Sequence, residues 1–476
     1  MTGEMFAQGV AQAVRQGHAD VPVGASAAIA ALVAAVFANA LVAGFQFDDW
    51  ADVIGNPAAA AATFLDRLPE TVRPLLKASY ALQDWLHGSW SPGFHAVNIV
   101  LHGSSTLLLA LLVGRASRLA GADAGTATQL AALVAALWGV HPALAETVTY
   151  VSGRSAGLSG LLMLAAIALA TGPAGRAAAL GAALCAALAP LARETALVLP
   201  ALVLLWQGTV GRAEPMPVAI RRVLPVLAGA AVAALVLASM PGHRSLVDFS
   251  LQVRGPLDAL RGNVHAVADI LWLWAAPWQI SIDPPQPQAW GWLEPPTLAR
   301  LAALAAVMAL AWRLRRRAPL AVFAIGWTLL CLVPTNTVIW RVDPVALKPL
   351  YLASLGPALL LGLLLLRLDR AWPRAGTAAG LVLVASLSAL TVQRNALYAD
   401  PVALWRQAVE QAPERGRPWI GLGHALLEAD NLAEAEWALA EGLARDPWSL
   451  SARRGLELVA GRREFGAPGP AEEVER

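Results

Sequence analysis

Two adjacent carboxylates, Asp48 and Asp49, stand directly after a long apolar run and just before Trp50. Neighbouring carboxylates near a bilayer surface repel, so one titrates higher than in water unless a cation or donor intervenes. A raised carboxylate suits general-base work on a hydroxyl, and a paired one suits a hard divalent cation at Asp48/Asp49. On spacing alone the pair reads first as a solvated helix end, because an Asp-Asp dipeptide is common.

Further polar groups punctuate an otherwise apolar chain. Arg73-Pro74-Leu75 comes first, then Phe94-His95 with Asn98 and His102. His95, Asn98 and His102 are spaced by three and four and so share one helix face, turned to the protein interior and not to lipid. The stretch HPALAETVTYVSGR carries His141, Glu146, Tyr150 and Arg154. So many ionisable groups beside apolar segments are costly unless they pair or bind something polar. Arg193-Glu194 reads equally as an ion pair closing a tight helical hairpin and as a ligand contact. Lys348 and Tyr351 fall in a later run, LKPLYLA.

The elements that must position these groups are membrane helices. The 476 residues are 57% hydrophobic and 14% charged, where a soluble domain carries about a quarter charged. Stretches such as 21–47, 223–240 and 350–366 lack a polar face and approach the length that crosses about 30 Å of hydrocarbon. Eleven spans are expected, near 22–46, 94–113, 127–141, 155–171, 177–192, 196–208, 223–240, 297–312, 319–334, 350–366 and 375–391. With residues 1–21 cytoplasmic, the inner loops receive Arg115 and Arg118, Arg176, Arg212 with Arg221 and Arg222, the cluster from Arg313 to Arg317, and Arg367, Arg370 and Arg374. Every short loop on that side then bears arginine, as the positive-inside bias requires. The C-terminus ends outside.

The outer side holds a long loop, 47–92, and a segment, 241–296, whose Trp-rich stretch 263–280 is expected to lie as an interfacial or re-entrant helix. A twelfth span there would put the Arg313 cluster outside. Arg67, Arg73, Lys77, Arg154, Arg193, Arg244, Arg254, Arg341 and Lys348 remain on the outer side against the bias and are candidates for anion binding. A net charge of +2 without a dense basic tract gives no sign of nucleic acid. Cys185 and Cys331 read as buried small hydrophobes. Ala38-Asn39-Ala40 resembles a cleavage site, but the apolar run continues past it and a retained first span is expected.

Past the last span the composition turns charged and Ala-rich. Residues 416–449 fit the 34-residue tetratricopeptide pattern at Trp419, Leu422, Gly423, Ala435, Leu439, Gly442 and Pro447. One repeat cannot bury a solenoid core, so flanking helices at 400–412 and 450–460 are expected to complete a module over 400–462, with a disordered tail over 463–476. Such a module serves either to dock an acceptor polypeptide or to cap the membrane domain over 22–392.

In this order and spacing, Asp48-Asp49, Arg73-Pro74-Leu75, the Phe94-His95/Asn98/His102 set, His141-Pro142 with Glu146, Tyr150, Gly153 and Arg154, and Glu194-Thr195 with Pro200 resemble a known family. It is that of the transmembrane and tetratricopeptide-repeat O-mannosyltransferases and their bacterial relatives, among the C-type, lipid-linked-sugar glycosyltransferases. The resemblance covers about residues 40–400. It implies an all-α polytopic bundle of about 11 spans in a bacterial inner membrane. It also implies inverting transfer of a sugar, mannose being one candidate, from a polyprenyl-phosphate donor to an acceptor hydroxyl, protein Ser/Thr first, on the outer face. By analogy Asp48 or Asp49 is the base or acceptor-positioning group. Arg154 and Arg193, with Arg73 and Lys348, are the candidates to hold the donor phosphate, and His95, Asn98, His102, His141, Glu146, Tyr150, Glu194 and Tyr351 are supporting polar groups.

Three departures stand out. Arg193 replaces the family's usual Lys, Ala156 replaces a common acidic residue, and Leu347-Lys348-Pro349 replaces a Glu-His-Arg-like triplet. Lys348 is expected to supply the missing cation. Two other functions stay open from sequence: the same chemistry on an envelope glycan or lipid, and a non-catalytic scaffold whose repeat module recruits envelope proteins.

Overall fold

The computed structural model describes residues 22–253, 255–286, 291–334 and 343–465. The expected cytoplasmic segment 1–21, the outer cations Arg254 and Arg341, and residues 466–476 of the expected tail lie outside the described residues. Among the described residues all regular structure is helical.

Seven helices are long and apolar enough to cross a membrane: Val23–Val42, Ser91–Leu119, Val151–Thr171, Met216–Ser239, Pro295–Leu314, Leu350–Ala371 and Ala375–Leu397. Ala124–Gly139 and Pro142–Val148 form an eighth if counted as one span bent by 57°. The bend falls at His141-Pro142, where proline fixes φ and removes an N–H from the helical ladder. Three shorter apolar helices, Arg176–Ala192, Glu194–Gly208 and Pro319–Leu332, stand at the other expected spans. At 1.5 Å per residue even the longest of these reaches only about 26 Å, short of the hydrocarbon thickness. Among the described residues, length and apolarity alone qualify seven or eight of the eleven expected spans.

Burial separates a centre from a rim. The Val151–Thr171 and Leu350–Ala371 helices are 72% and 67% buried, whereas Pro295–Leu314 and Ala375–Leu397 are 11% and 17% buried. An apolar helix left this bare by the protein has lipid as its natural partner. The centre is pinned at the turn Leu350–Ala353: Trp138 Nε1 donates to the Tyr351 carbonyl (3.1 Å) and Trp327 Nε1 to that of Leu352 (2.7 Å). Gly160 is what lets the Tyr351 ring in, since a Cβ there would meet it at 2.7 Å.

The polar groups gather at the two ends. At one, Arg115 donates to the Ala168 carbonyl, Arg222 to those of Ala170 and Gly172, and Arg212 to that of Arg315. Four of the five loops assigned to one side by charge bias, those of Arg115, Arg176, Arg212 with Arg222, and Arg315, therefore meet in space. The acidic pair lies at the opposite end, beside the HPALAETVTYVSGR turn and Lys348.

Of the stretch 263–280 expected to be re-entrant, residues 263–275 belong to the helix Pro256–Ala275 and a short turn, Pro277–Gln279, follows it. Four helices follow the last apolar one, at Pro401–Gln411, Gly416–Glu428, Leu432–Arg445 and Leu450–Phe465. They share an apolar core built on Trp405, Leu422, Ala435 and Leu439. Gly423 and Gly442 bring the middle two helices together, for a Cβ on either would overlap its neighbour. The last helix runs three residues into the expected tail, because Arg463 pairs with Glu436 and Arg462 donates to the Leu427 carbonyl. This four-helix unit sits at the acidic end: Gln46 Nε2 donates to the Tyr398 carbonyl (3.1 Å) and the Phe47 ring meets Trp405 edge-on (5.3 Å).

Candidate functional site

The acidic pair is delivered by an abrupt end to the first helix. After Val42 the chain is extended, and Phe47 takes φ 44°, a left-handed conformation that costs a bulky L-residue roughly 1–2 kcal/mol. Asp48 and Asp49 follow and face different surroundings.

Asp49 is fully enclosed. The Gln46 N–H donates to Oδ2 (3.0 Å) and the Ser152 N–H to Oδ1 (2.7 Å). Burial pushes its carboxyl up to about 7, against the pull of those two amides and of Lys348. Asp48 keeps 45% of its side chain exposed, and its backbone N–H donates to the Tyr150 hydroxyl (2.8 Å). Partial burial raises its carboxyl too, opposed chiefly by Lys348. The Lys348 ammonium lies 4.0 Å from Asp48 Oδ2, donates to Ser152 Oγ (3.2 Å) and sits over the Tyr150 ring (4.7 Å). Burial lowers its pKa, opposed by Glu146 and Asp48.

Gly153 makes this arrangement possible. A Cβ there would stand 2.1 Å from the Glu146 carbonyl oxygen, so only glycine lets the Val151–Gly153 turn fold over that carbonyl and aim the Ser152 amide at Asp49.

The four cations nominated for phosphate divide into two kinds. Arg154 is buried and donates to Asn98 Oδ1 (2.8 Å) and the Phe94 carbonyl (3.0 Å), with its guanidinium over the Tyr80 and Phe94 rings. Arg73, at φ 64° before Pro74, makes a two-pronged bond to Glu194 (2.9 and 2.7 Å). That pair joins the 47–92 loop to the turn at Arg193-Glu194, so Glu194 is bound across 121 residues of sequence as well as lying beside Arg193. Arg193 and Lys348, by contrast, line one narrow cavity together with Ala156, Ser159, Thr195 and Tyr351. It measures about 40 Å³ and has no carboxylate in its wall. A second cavity, about 400 Å³, lies within the 47–92 loop and is lined by Asp52, Asn56, Arg67, Glu70 and Lys77 among others. Its charges offset one another: Arg67 pairs with Glu70 (3.3 Å), and Lys77 lies 3.8 Å from the Asp52 carboxylate.

The remaining nominated residues act as brackets. His95 Nε2 donates to the Ala43 carbonyl (3.0 Å), fixing the chain just before the acidic turn. Asn98 holds the Val148 carbonyl (3.2 Å) as well as Arg154. His102 Nε2 donates to the Gly139 carbonyl (2.9 Å), which leaves Nδ1 to accept from the Tyr351 hydroxyl (3.1 Å). His141 accepts from the Ala143 N–H (3.2 Å) and stacks on Trp274 (5.0 Å, 6°), tying the bent span to the Pro256–Ala275 helix. Glu146 is buried near Lys348.

At Asp48/Asp49, where a divalent cation was considered from sequence, each Asp49 oxygen accepts one amide and the Lys348 ammonium stands next to Asp48, so protein donors already supply positive charge to the pair. Among the described residues no three His, Cys, Asp or Glu side chains cluster as metal ligands. Sequence reasoning missed Ser152, Ser155, Tyr80 and Tyr398. Ser155 accepts from Arg193 (3.1 Å) and the Tyr80 hydroxyl donates to the Val151 carbonyl (3.1 Å). The two serines flank Arg154 within one short stretch, the only signal that pointed to them.

No family model, no curated protein and no solved structure matches the chain.

Proposed function

We propose that the protein is an inverting membrane glycosyltransferase that moves a sugar from a polyprenyl-phosphate donor to an acceptor hydroxyl at the outer face of a bacterial inner membrane. The observation that carries this reading is the placement of Asp48 4.0 Å from Lys348, which with Arg193 lines a cavity without carboxylates. An anion held there would lie next to a partly exposed carboxylate, the pairing that phosphate departure and hydroxyl activation require. Asp48 takes the acceptor proton, the freed oxygen attacks the anomeric carbon from the face opposite the phosphate, and the C1–O bond breaks toward the phosphate. Lys348 and Arg193 hold the charge that develops there. Lys348 fills the role of a bound cation, and Asp49 anchors the turn. The wider, charge-balanced cavity suits a hydroxyl-rich neutral acceptor segment.

Access for the lipid fits eleven membrane helices of unequal length, the three short ones leaving a groove beside Arg193 and the Leu347–Pro349 stretch. The N-terminus is then cytoplasmic, the arginine end faces inward, and the four C-terminal helices form an extracytoplasmic tetratricopeptide-like module. Its fit to the repeat pattern and its position beside Phe47 support acceptor-protein docking there.

The test uses protein reconstituted in lipid, with polyprenyl-phosphate mannose and other polyprenyl-phosphate hexoses as donors and Ser/Thr peptides or envelope glycans as acceptors. Transfer with inversion, lost in Asp48→Asn, is the expected result. No transfer from any of these donors sinks the proposal. One observation favours a non-catalytic scaffold instead: a cavity of about 40 Å³ holds only a few waters until it opens. Unchanged envelope glycosylation on deletion, with partners lost from pull-downs, would select the scaffold.

A further inference from the structure

The four C-terminal helices are fastened to the membrane domain by a compact charge cluster. Arg415 pairs with Asp283 (3.1 Å) and Asp343 (2.8 Å), and Arg417 pairs with the same two carboxylates. Asp283 is buried, and Arg415 also donates to the Pro284 carbonyl (2.8 Å). Two planar guanidinium forks sharing two carboxylates fix orientation as well as distance.

The clamp bears on the acidic turn. Arg417, held by the cluster, sits over the Phe47 ring at 5.9 Å, and Trp405 meets the same ring edge-on at 5.3 Å. Trp405 cannot yield, because Gly421 closes on its face so tightly that a Cβ would overlap the indole. Phe47 is the residue at φ 44°, and Asp48 is its neighbour in sequence. A strained conformation persists only where its surroundings over-determine it. On the Phe47 side those surroundings come from the C-terminal module, while Tyr150 and Ser152 hold the Asp48-Asp49 side.

We infer that this module is a positioning element for the acidic turn: Trp405 and Arg417, clamped by Asp283 and Asp343, hold Phe47 so that Asp48 and Asp49 face their partners. This rests on the transferase reading only in what the turn is positioned for. Docking alone would make the module matter for long polypeptide acceptors and not for small ones. Positioning makes it matter for every acceptor.

Amide hydrogen exchange on the full-length protein in lipid separates these, comparing wild type with Asp283→Asn/Asp343→Asn and, separately, with Phe47→Ala. The amides of Gln46, Asp48 and Asp49 are all hydrogen-bonded within the turn or to Tyr150. Exchange over residues 44–52 is expected to rise about tenfold or more in both variants, with the Ala124–Gly139 helix unchanged. If the double variant loosens the whole bundle, Phe47→Ala, which leaves the four charges in place, decides. Unaltered exchange over 44–52 in Phe47→Ala overturns the inference. With a short Ser/Thr peptide as acceptor, kcat is expected to fall in Phe47→Ala with KM for that peptide little changed; a raised KM at unchanged kcat overturns positioning in favour of docking. A wild type that transfers no sugar while exchange responds as expected removes the transferase reading and leaves the clamp.

Discussion

The two halves of the cluster around the acidic pair use the same residue types to different ends. On the closed side, Asp49, Arg154, Asn98 and Tyr80 are buried and bound to backbone groups and to one another. On the open side, Asp48 is partly exposed, and Lys348 and Arg193 face a cavity. The closed half builds the turn, and the open half borders a cavity. What separates them is access and not spare hydrogen-bonding capacity, since Arg193 donates to Ser155 and Lys348 to Ser152.

The contrast breaks most sharply at the acidic pair. Asp48→Asn is expected to lower transfer by about 10²–10⁴-fold, the usual worth of a general base, while the thermal midpoint stays close to wild type. Removing a cation from each half comes next. Arg73→Ala leaves Glu194 buried without its partner and is expected to cost about 3 kcal/mol in denaturant unfolding, because an uncompensated buried charge remains. Lys348→Ala instead is expected to weaken the donor-dependent rate about a hundredfold, read as kcat/KM for the lipid donor.

A pH experiment sharpens the role of Asp49. Its folded-state pKa is raised by burial to about 7, so the native state binds the proton more tightly than the unfolded chain does. The contribution of Asp49 to stability is therefore greatest below the ordinary carboxylate range near 4 and declines as pH rises toward 7, levelling beyond it. Asp49→Asn is expected to flatten that slope in the thermal midpoint measured from pH 4 to 8; an unchanged slope would mean that Asp49 is not its source. The smallest effect is expected from Ala156→Asp, which puts a carboxylate into the wall that Arg193 and Lys348 share. It should raise KM for the lipid donor about tenfold by neutralising the anion site. Tighter donor binding would show that the cavity does not hold the phosphate.

Much of this organisation was legible in the sequence. Apolar runs gave helices at all eleven expected positions, and charge bias gathered the arginine loops at one end, because both signals are local and repeat along the chain. The three-and-four spacing of His95, Asn98 and His102 put them on one buried face. Their service as backbone brackets was not legible, since it depends on where the Ala43 and Gly139 carbonyls fall. Equally hidden was the sorting of the cations. Arg73 and Arg193 look alike in sequence, and only the pairing of Arg73 with Glu194 across 121 residues tells them apart. The Arg415/Arg417 cluster left no pattern at all, because its partners Asp283 and Asp343 sit in irregular segments with no periodicity. Crossing number was less legible, because apolar composition without length does not decide whether the three short helices span.

The central claim is that Asp48 works beside a phosphate held by Lys348 and Arg193. It is tested most directly by single-turnover transfer from a labelled polyprenyl-phosphate hexose to a Ser/Thr peptide, run side by side with Asp48→Asn and Asp49→Asn proteins in lipid. The expected result is transfer with inversion by wild type, donor binding without transfer by Asp48→Asn, and residual transfer by Asp49→Asn in proportion to its folded fraction. Full transfer by a properly folded Asp48→Asn protein would contradict the account.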